Sequence, residues 1–406
     1  MSNNFSNKNN IFKNFRSGFP ALETKAYMSI CEKMILHNSV RKGVDTFLDH
    51  LALANANRFH YEKKILSSKL KFAKLMNVEP QTIAATRNVS DGINAVAHSF
   101  PWGESDNVVI SLENEHPNNI YPWLSLGRRQ GVQIRSVPSN PDGSINEDAM
   151  IEAIDGNTKI LSCASVTYAP GHRLDITKIG EACLKKEVLF LVDGVQTAGI
   201  LHHDLNSECV GGFATSSSKG LLGLYGFGFL YISPKWIDRL HPTYLSRPGV
   251  LMETDDHSTM GGLEFTLQPD SRRFEVGTYN LAGSYAADAA LDLLLAIGTE
   301  AIESYVLNLS TILNEGVSSL GLETLVPSKG PKQSNIVTFG AIDAGGHDFS
   351  SNEMITKISK NLLKDKVLHT LRRGMLRFGL HAYNNEDDVE RAIKSIEGSL
   401  RGNKLP

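Results

Sequence analysis

From about residue 107 onward, short apolar runs of β character alternate with helix-like segments, and that alternation restricts the chain to an α/β architecture more than any other feature. The runs fall at 107–112 (NVVISL), 132–137, 159–164 (KILSCA), 188–192 (VLFLV) and 227–232 (FGFLYI). Several are almost continuous in apolar residues, the pattern of strands covered on both faces. A helix is expected at 282–297, then strands at 335–339 and 375–380. A last amphipathic helix is announced by Asn384 and Asn385 followed by Glu386, Asp387 and Asp388, acids that suit the positive end of a helix dipole. Residues 25–78 read as mostly helical, from apolar residues three and four apart. The expected organisation is an N-terminal arm over 1–24, a large α/β domain over 25–283 and a smaller α+β domain over 284–406.

Charge narrows the ligand class. The 406 residues carry 41 Lys+Arg against 44 Asp+Glu, a net charge of -3, with no basic block. Neither nucleic acid nor a membrane is therefore expected as a partner, and small metabolites are the default. The uncharged stretch 220–233 is too short and too glycine-broken to span a bilayer. Cys31, Cys163, Cys183 and Cys209 show no CxxC spacing, so no metal site and no disulfide framework are expected, and a reducing, cytoplasmic compartment fits. The Asn-rich first twenty residues lack the apolar core of a secretory signal and suggest a disordered or docking arm.

In open α/β sheets ligands bind outside the carboxyl ends of the strands, so polar residues just after apolar runs are the candidates. Asp193 ends VLFLV, with Gln196 three residues on; a carboxylate there can pair with a cationic ring nitrogen, or serve as an ordinary turn Asp. Lys219 follows Thr215, Ser216, Ser217 and Ser218, so hydroxyls that can hold phosphate adjoin an amine suited to Schiff-base chemistry; a solvated loop Lys is the alternative. Asn88, Val89 and Ser90 begin a helix-like stretch, either a phosphate site or a plain N-cap. His116, after NVVISL, can stack on a planar ring or simply occupy a turn. Arg377, inside MLRFGL, needs an anion, whether a structural acid or a substrate carboxylate.

In this order the elements resemble the class V aminotransferase family of pyridoxal phosphate (PLP) enzymes, fold type I, and within it the cysteine desulfurase and selenocysteine lyase branch. The family's E-H-H-x-N-x-x-P-W is matched by Glu115 to Trp123 with Pro117 at the second His. Its V-D-G-x-Q is matched by Val192 to Gln196, and its S-x-H-K-x-x-G more loosely by Ser216 to Leu222. R-F-E-x-G-T-x-N appears as Arg273 to Asn280, and R-x-S-x-x-x-Y-N as Arg377 to Asn384 with Gly379 at the Ser. The resemblance implies a mostly parallel, seven-stranded-type sheet and a homodimer with shared active sites. It implies Lys219 as the aldimine-forming base, Asp193 as partner of the pyridinium nitrogen, Gln196 near the ring hydroxyl and His116 stacked on the ring. Ser90, Ser216, Ser218 and the Val89 backbone would hold the phosphate, with Thr278 reaching it from the other subunit. Arg377, Asn119 and Tyr168 would meet an amino-acid substrate.

Departures from the family pattern bear on the reaction. Cysteine desulfurases carry a Cys on a loop before the arginine strand, yet no Cys follows Cys209, and VLHTLRRGMLRFG is too short for that loop. Tyr168 replaces the family's Asn, and Ser218 its His before the lysine. The chain is thus expected to be a lyase, epimerase or decarboxylase acting at Cα, or alternatively a true aminotransferase. Arg173, His369, Arg372 and Arg373 are further candidates for reading a second polar group on the substrate.

Overall fold

The computed structural model describes residues 2–252 and 264–401. Its centre is a seven-stranded sheet with the order Ile83–Thr86, Gly228–Ile232, Gly212–Ser216, Leu189–Asp193, Thr158–Ala164, Asn107–Ile110, Gln133–Ser136. Gly228–Ile232 runs antiparallel to both neighbours and the other adjacent pairs are parallel. The five strands nearest the middle of the order are wholly or almost wholly buried, as the apolar runs of four of them, all but Gly212–Ser216, predict. Two strands were not legible as apolar runs. IAAT and GFATS are short and rich in Ala and Thr, and they become strands because neighbours supply the ladder.

Helices cover both faces, each started by a local signal. Asn57 caps Arg58–Leu75, Asn88 caps Val89–Ser99, and His116 with Pro117 opens Pro117–Gln130, which Gly131 closes in the left-handed region at φ 75°. Asn280 caps Leu281–Ile297, so the boundary expected at 283/284 falls inside a helix. That helix packs against Asn38–Ala52 and Arg58–Leu75, where Asp288 receives Lys64, Lys71 and Ser67.

A second unit is built on a three-stranded antiparallel sheet of Thr370–Arg372, Met375–Gly379 and Ile336–Phe339, covered by Thr299–Ser319, Glu353–Lys364 and Glu386–Arg401. The start of the chain joins it: Ala26–Tyr27 pairs in parallel with Val367–Leu368, and Ser29 bridges to Gly379. Ahead of that segment the helix Ser2–Ser17 docks, burying Phe12 and Phe15, with Phe19 just beyond it, while Arg16 pairs with Asp388 at 2.8 Å. The arm is therefore a docked helix. Among the described residues, no single helix is long and apolar enough to cross a membrane.

Candidate active site

Parallel pairing aligns the carboxyl ends of the central strands. Ala164, Asp193 and Ala214 are register partners, so the residues just beyond them face one cavity of about 380 Å³. Its walls bring together Val89, Ser90, His116, Asn119, Tyr168, Asp193, Gln196, Ser216, Ser218 and Lys219, ten of the residues singled out from sequence. The Asp193–Gly194 turn needs its glycine, because a Cβ at Gly194 would lie 1.8 Å from the Phe213 ring.

Asp193 is buried and receives the Val195 amide at 2.8 Å and Asn119 Nδ2 at 2.7 Å. Burial pushes its carboxyl up, while those two donors and the nearby Lys219 charge pull it back down. The Lys219 amine makes no hydrogen bond or ion pair with any described residue. Burial, with Arg377 the next cause, lowers its amine to about 8. Such an amine is a usable base and nucleophile near neutral pH. His116 caps its helix through Nδ1, accepting from the Asn118 amide, and its ring meets Tyr168 edge-on at 5.2 Å. Burial and the charges of Lys219, Arg377 and Arg372 push the imidazole down, so it stays neutral and available for ring contact.

At the other end of the cavity the Val89 amide donates to Ser216 Oγ at 2.9 Å. Val89 is thus committed to the protein, and what it fixes is a serine hydroxyl that keeps its own proton for a ligand. Ser216, Ser218 and Ser90 then surround the positive end of the Val89–Ser99 helix, a suitable place for a phosphate. Gln196 is buried and donates Nε2 to the Cys31 carbonyl at 3.2 Å.

Arg377 is 2% exposed, donates through Nε to Thr370 Oγ1 at 3.0 Å and through Nη1 to the Tyr168 carbonyl, and has no described acid as an ion-pair partner. The Arg373–Gly374 turn that delivers it is tight, with φ 51° and 83°. Tyr168 thus enters through its backbone, holding Arg377, and through its ring, meeting His116. Asn119, in the wall of the cavity, is buried and bonded to Asp193 and Glu115. The other candidates for a second substrate group are engaged elsewhere: Arg173 with Glu303, Arg372 with Glu32 and Asp348, Arg373 with Asp343, and His369 with Ser359. Thr278 is exposed and does not line the cavity. Glu115, also in the wall, received no role from sequence. Glu115 carried the same signal as its neighbours, a polar residue just past an apolar strand.

The model of the family described as aminotransferase class-V matches residues 52–392. The chain belongs to the class V aminotransferase family. Among its class V relatives, a probable cysteine desulfurase of Methanothermobacter thermautotrophicus is 27% identical over 347 residues, covering 82% of this chain and 83% of that one. An uncharacterized aminotransferase, YcbU, of Bacillus subtilis is 26% identical over 382 residues, covering 94% and 96%. The solved apo cysteine desulfurase of Thermococcus onnurineus superposes with a TM-score of 0.82 at 20% identity, over 96% of this chain and 98% of that one, which places the chain in fold type I. The protein is an enzyme and its cofactor is pyridoxal phosphate. The donor set fits that group: an unpartnered lysine, a buried acid at a strand end, and serine hydroxyls at a helix start.

Proposed function

We propose that the protein cleaves or rearranges a bond at Cα of a free amino acid, as a lyase, epimerase or decarboxylase, without forming a protein persulfide. The observation that carries this reading is the pairing of an unpartnered Lys219 with a buried Arg377 delivered by a tight, cysteine-free turn. Cys163 and Cys183 are buried with thiols pushed up by burial, Cys31 is packed behind Gly379, and Cys209 is remote from the cavity, so no mobile thiol faces it. Because all four cysteines are free, the reading includes a reducing, cytoplasmic setting.

When bound, pyridoxal phosphate supplies an electron sink for the pair left at Cα. Lys219 holds the cofactor and moves the Cα proton at Nζ. Asp193 would supply a negative charge to the ring nitrogen, His116 would cover the ring face, and Gln196 would serve the ring hydroxyl. Ser90, Ser216 and Ser218 hold the phosphate. Arg377, held in place by Thr370 and the Tyr168 carbonyl, would grip the substrate carboxylate and so orient the substrate. The proposal includes a homodimer in which Thr278 completes the partner's phosphate site. Exposed Tyr225, Tyr244 and Val276 near the cavity mouth support such an interface.

The test incubates the purified holoenzyme and its Lys219→Ala variant with a panel of L-amino acids, following the visible band and the products. Turnover that releases ammonia with a keto acid, CO₂, a sulfur product or an inverted centre without added keto acid supports the proposal. A half-reaction that stalls until a keto acid is added assigns the enzyme as an aminotransferase, the reading favoured by the near-full-length likeness to YcbU. A Lys219→Ala protein that keeps a borohydride-reducible band overturns the assignment of Lys219.

A further inference from the structure

Glu115 is joined to Asp193 through Asn119 and is 3% exposed. Its Oε1 accepts the Ala164 amide at 2.7 Å, and its Oε2 accepts Asn119 Nδ2 at 2.8 Å. The same Nδ2 donates to Asp193 Oδ2 at 2.7 Å. One amide nitrogen therefore joins two buried acids, whose oxygens lie within about 5.5 Å of each other because both bond that atom. Asn119 Oδ1 is buried without a partner. The amide thus forgoes a hydrogen bond at its carbonyl to keep both N–H groups on the acids. Turning the carbonyl into their place would require both acids to carry protons.

We propose that Glu115 is a positioning residue that acts through Asn119 on Asp193, supplying a second negative charge that keeps the cofactor's ring nitrogen protonated. The inference rests on the assignment of Asp193 to the ring nitrogen. A negative charge close to a protonated nitrogen raises that nitrogen's proton affinity, and at this separation in a buried site the interaction is not screened away. Burial pushes the Glu115 carboxyl up to about 7, against the pull of Asn119 and the Ala164 amide. Its charge therefore switches within the working pH range. The groups facing it are Asp193 on one neighbouring strand and the Cys163 thiol on another, with Lys219 beyond Asp193. Glu115 thereby couples pH to the strength of the electron sink, and with it to the balance between reaction outcomes at Cα.

The test loads the full-length protein with pyridoxal phosphate carrying ¹⁵N in the ring and follows the ring-nitrogen chemical shift against pH, alongside the visible band. Wild type shows a small step near pH 7, where Glu115 ionises. Glu115→Gln removes the step and lowers the apparent pKa of the ring nitrogen by about one unit or more, whereas Glu115→Asp keeps it closer to wild type. A flat wild-type shift between about pH 6 and 8 overturns the proposal even when the Gln variant fails to fold. A Glu115→Gln titration that superimposes on wild type overturns it as well. A wild-type ring nitrogen that titrates like the free cofactor, despite a normal Lys219-dependent band, removes the Asp193 assignment itself, so the two failures are distinguishable.

Discussion

His381 Nε2 lies 2.9 Å from the carbonyl oxygen of Gly220, the residue that follows Lys219. The Ala382 amide donates to Nδ1 at 2.7 Å, so Nε2 carries the proton and donates to Gly220. The second unit thus holds the lysine turn through one neutral imidazole. Burial lowers this histidine from 6.5 to about 4. The unfolded chain takes up the proton near 6.5, so the stabilisation is complete above that pH and is lost as pH falls towards 4, by about 3 kcal/mol in all. Denaturant unfolding of the apoprotein at neutral and mildly acid pH checks this. His381→Gln is expected to lower stability at neutral pH and to flatten the acid dependence. Equal acid losses in variant and wild type would assign that dependence to other groups.

Arg377→Lys keeps a charge but not the planar fork. Nε and Nη1 are already committed to Thr370 and Tyr168, so a lysine loses both anchors as well as the paired contact to a substrate carboxylate. The expected loss in kcat/KM is about 10- to 100-fold, on the scale of a charge-assisted hydrogen bond, with the visible band of the holoenzyme unchanged. Steady-state kinetics on the substrate found by the amino-acid panel measure it. A variant with unchanged kcat/KM would remove Arg377 from substrate binding.

The docked arm contributes to stability out of proportion to its length. Phe15 is buried against Phe19 at 5.2 Å and lies beside His37 and His381 at 5.9 and 6.1 Å. Phe15→Ala is expected to cost about 3–5 kcal/mol, as for other buried aromatics. Equilibrium unfolding would read this directly, and a cost below about 1 kcal/mol would mean that the arm is not part of the folded unit in solution.

Shared sites can be tested by mixing subunits. A Thr278→Val protein is expected to bind pyridoxal phosphate more weakly. Adding Lys219→Ala subunits, which carry an intact Thr278, is expected to restore binding to the Lys219 sites of the mixed dimers. Fluorescence titration with the cofactor checks this after subunit exchange. No gain on mixing, with Thr278→Val alone impaired, would place Thr278 in its own chain's site.

The large sheet was legible where apolar runs were long, at 107–112, 159–164, 188–192 and 227–232. Each became a strand, trimmed by two residues at 107–112 and by one at 227–232, extended by one at 159–164 and shifted by one at 188–192. IAAT and GFATS escaped because a strand buried between neighbours needs no strong propensity of its own. The cavity was legible because its residues follow strand ends, a rule that topology enforces. What sequence could not show was division of labour within the wall. Asn119 and Tyr168 were expected at the substrate and line the cavity, but the bonds of the Asn119 amide and of the Tyr168 carbonyl are to partners that only folding brings near. Val89 likewise gives its amide to Ser216, 127 residues away.

The parallel pairing of Ala26–Tyr27 with Val367–Leu368 has a consequence for biosynthesis. The ribosome releases Phe12, Phe15 and Phe19 long before their partners Tyr305, His381 and Tyr383. For most of translation this aromatic cluster has nothing to dock on, while the central sheet between can already form. Closure of the second unit is therefore a late, long-range event, and the nascent chain carries an exposed apolar segment until Tyr383 emerges.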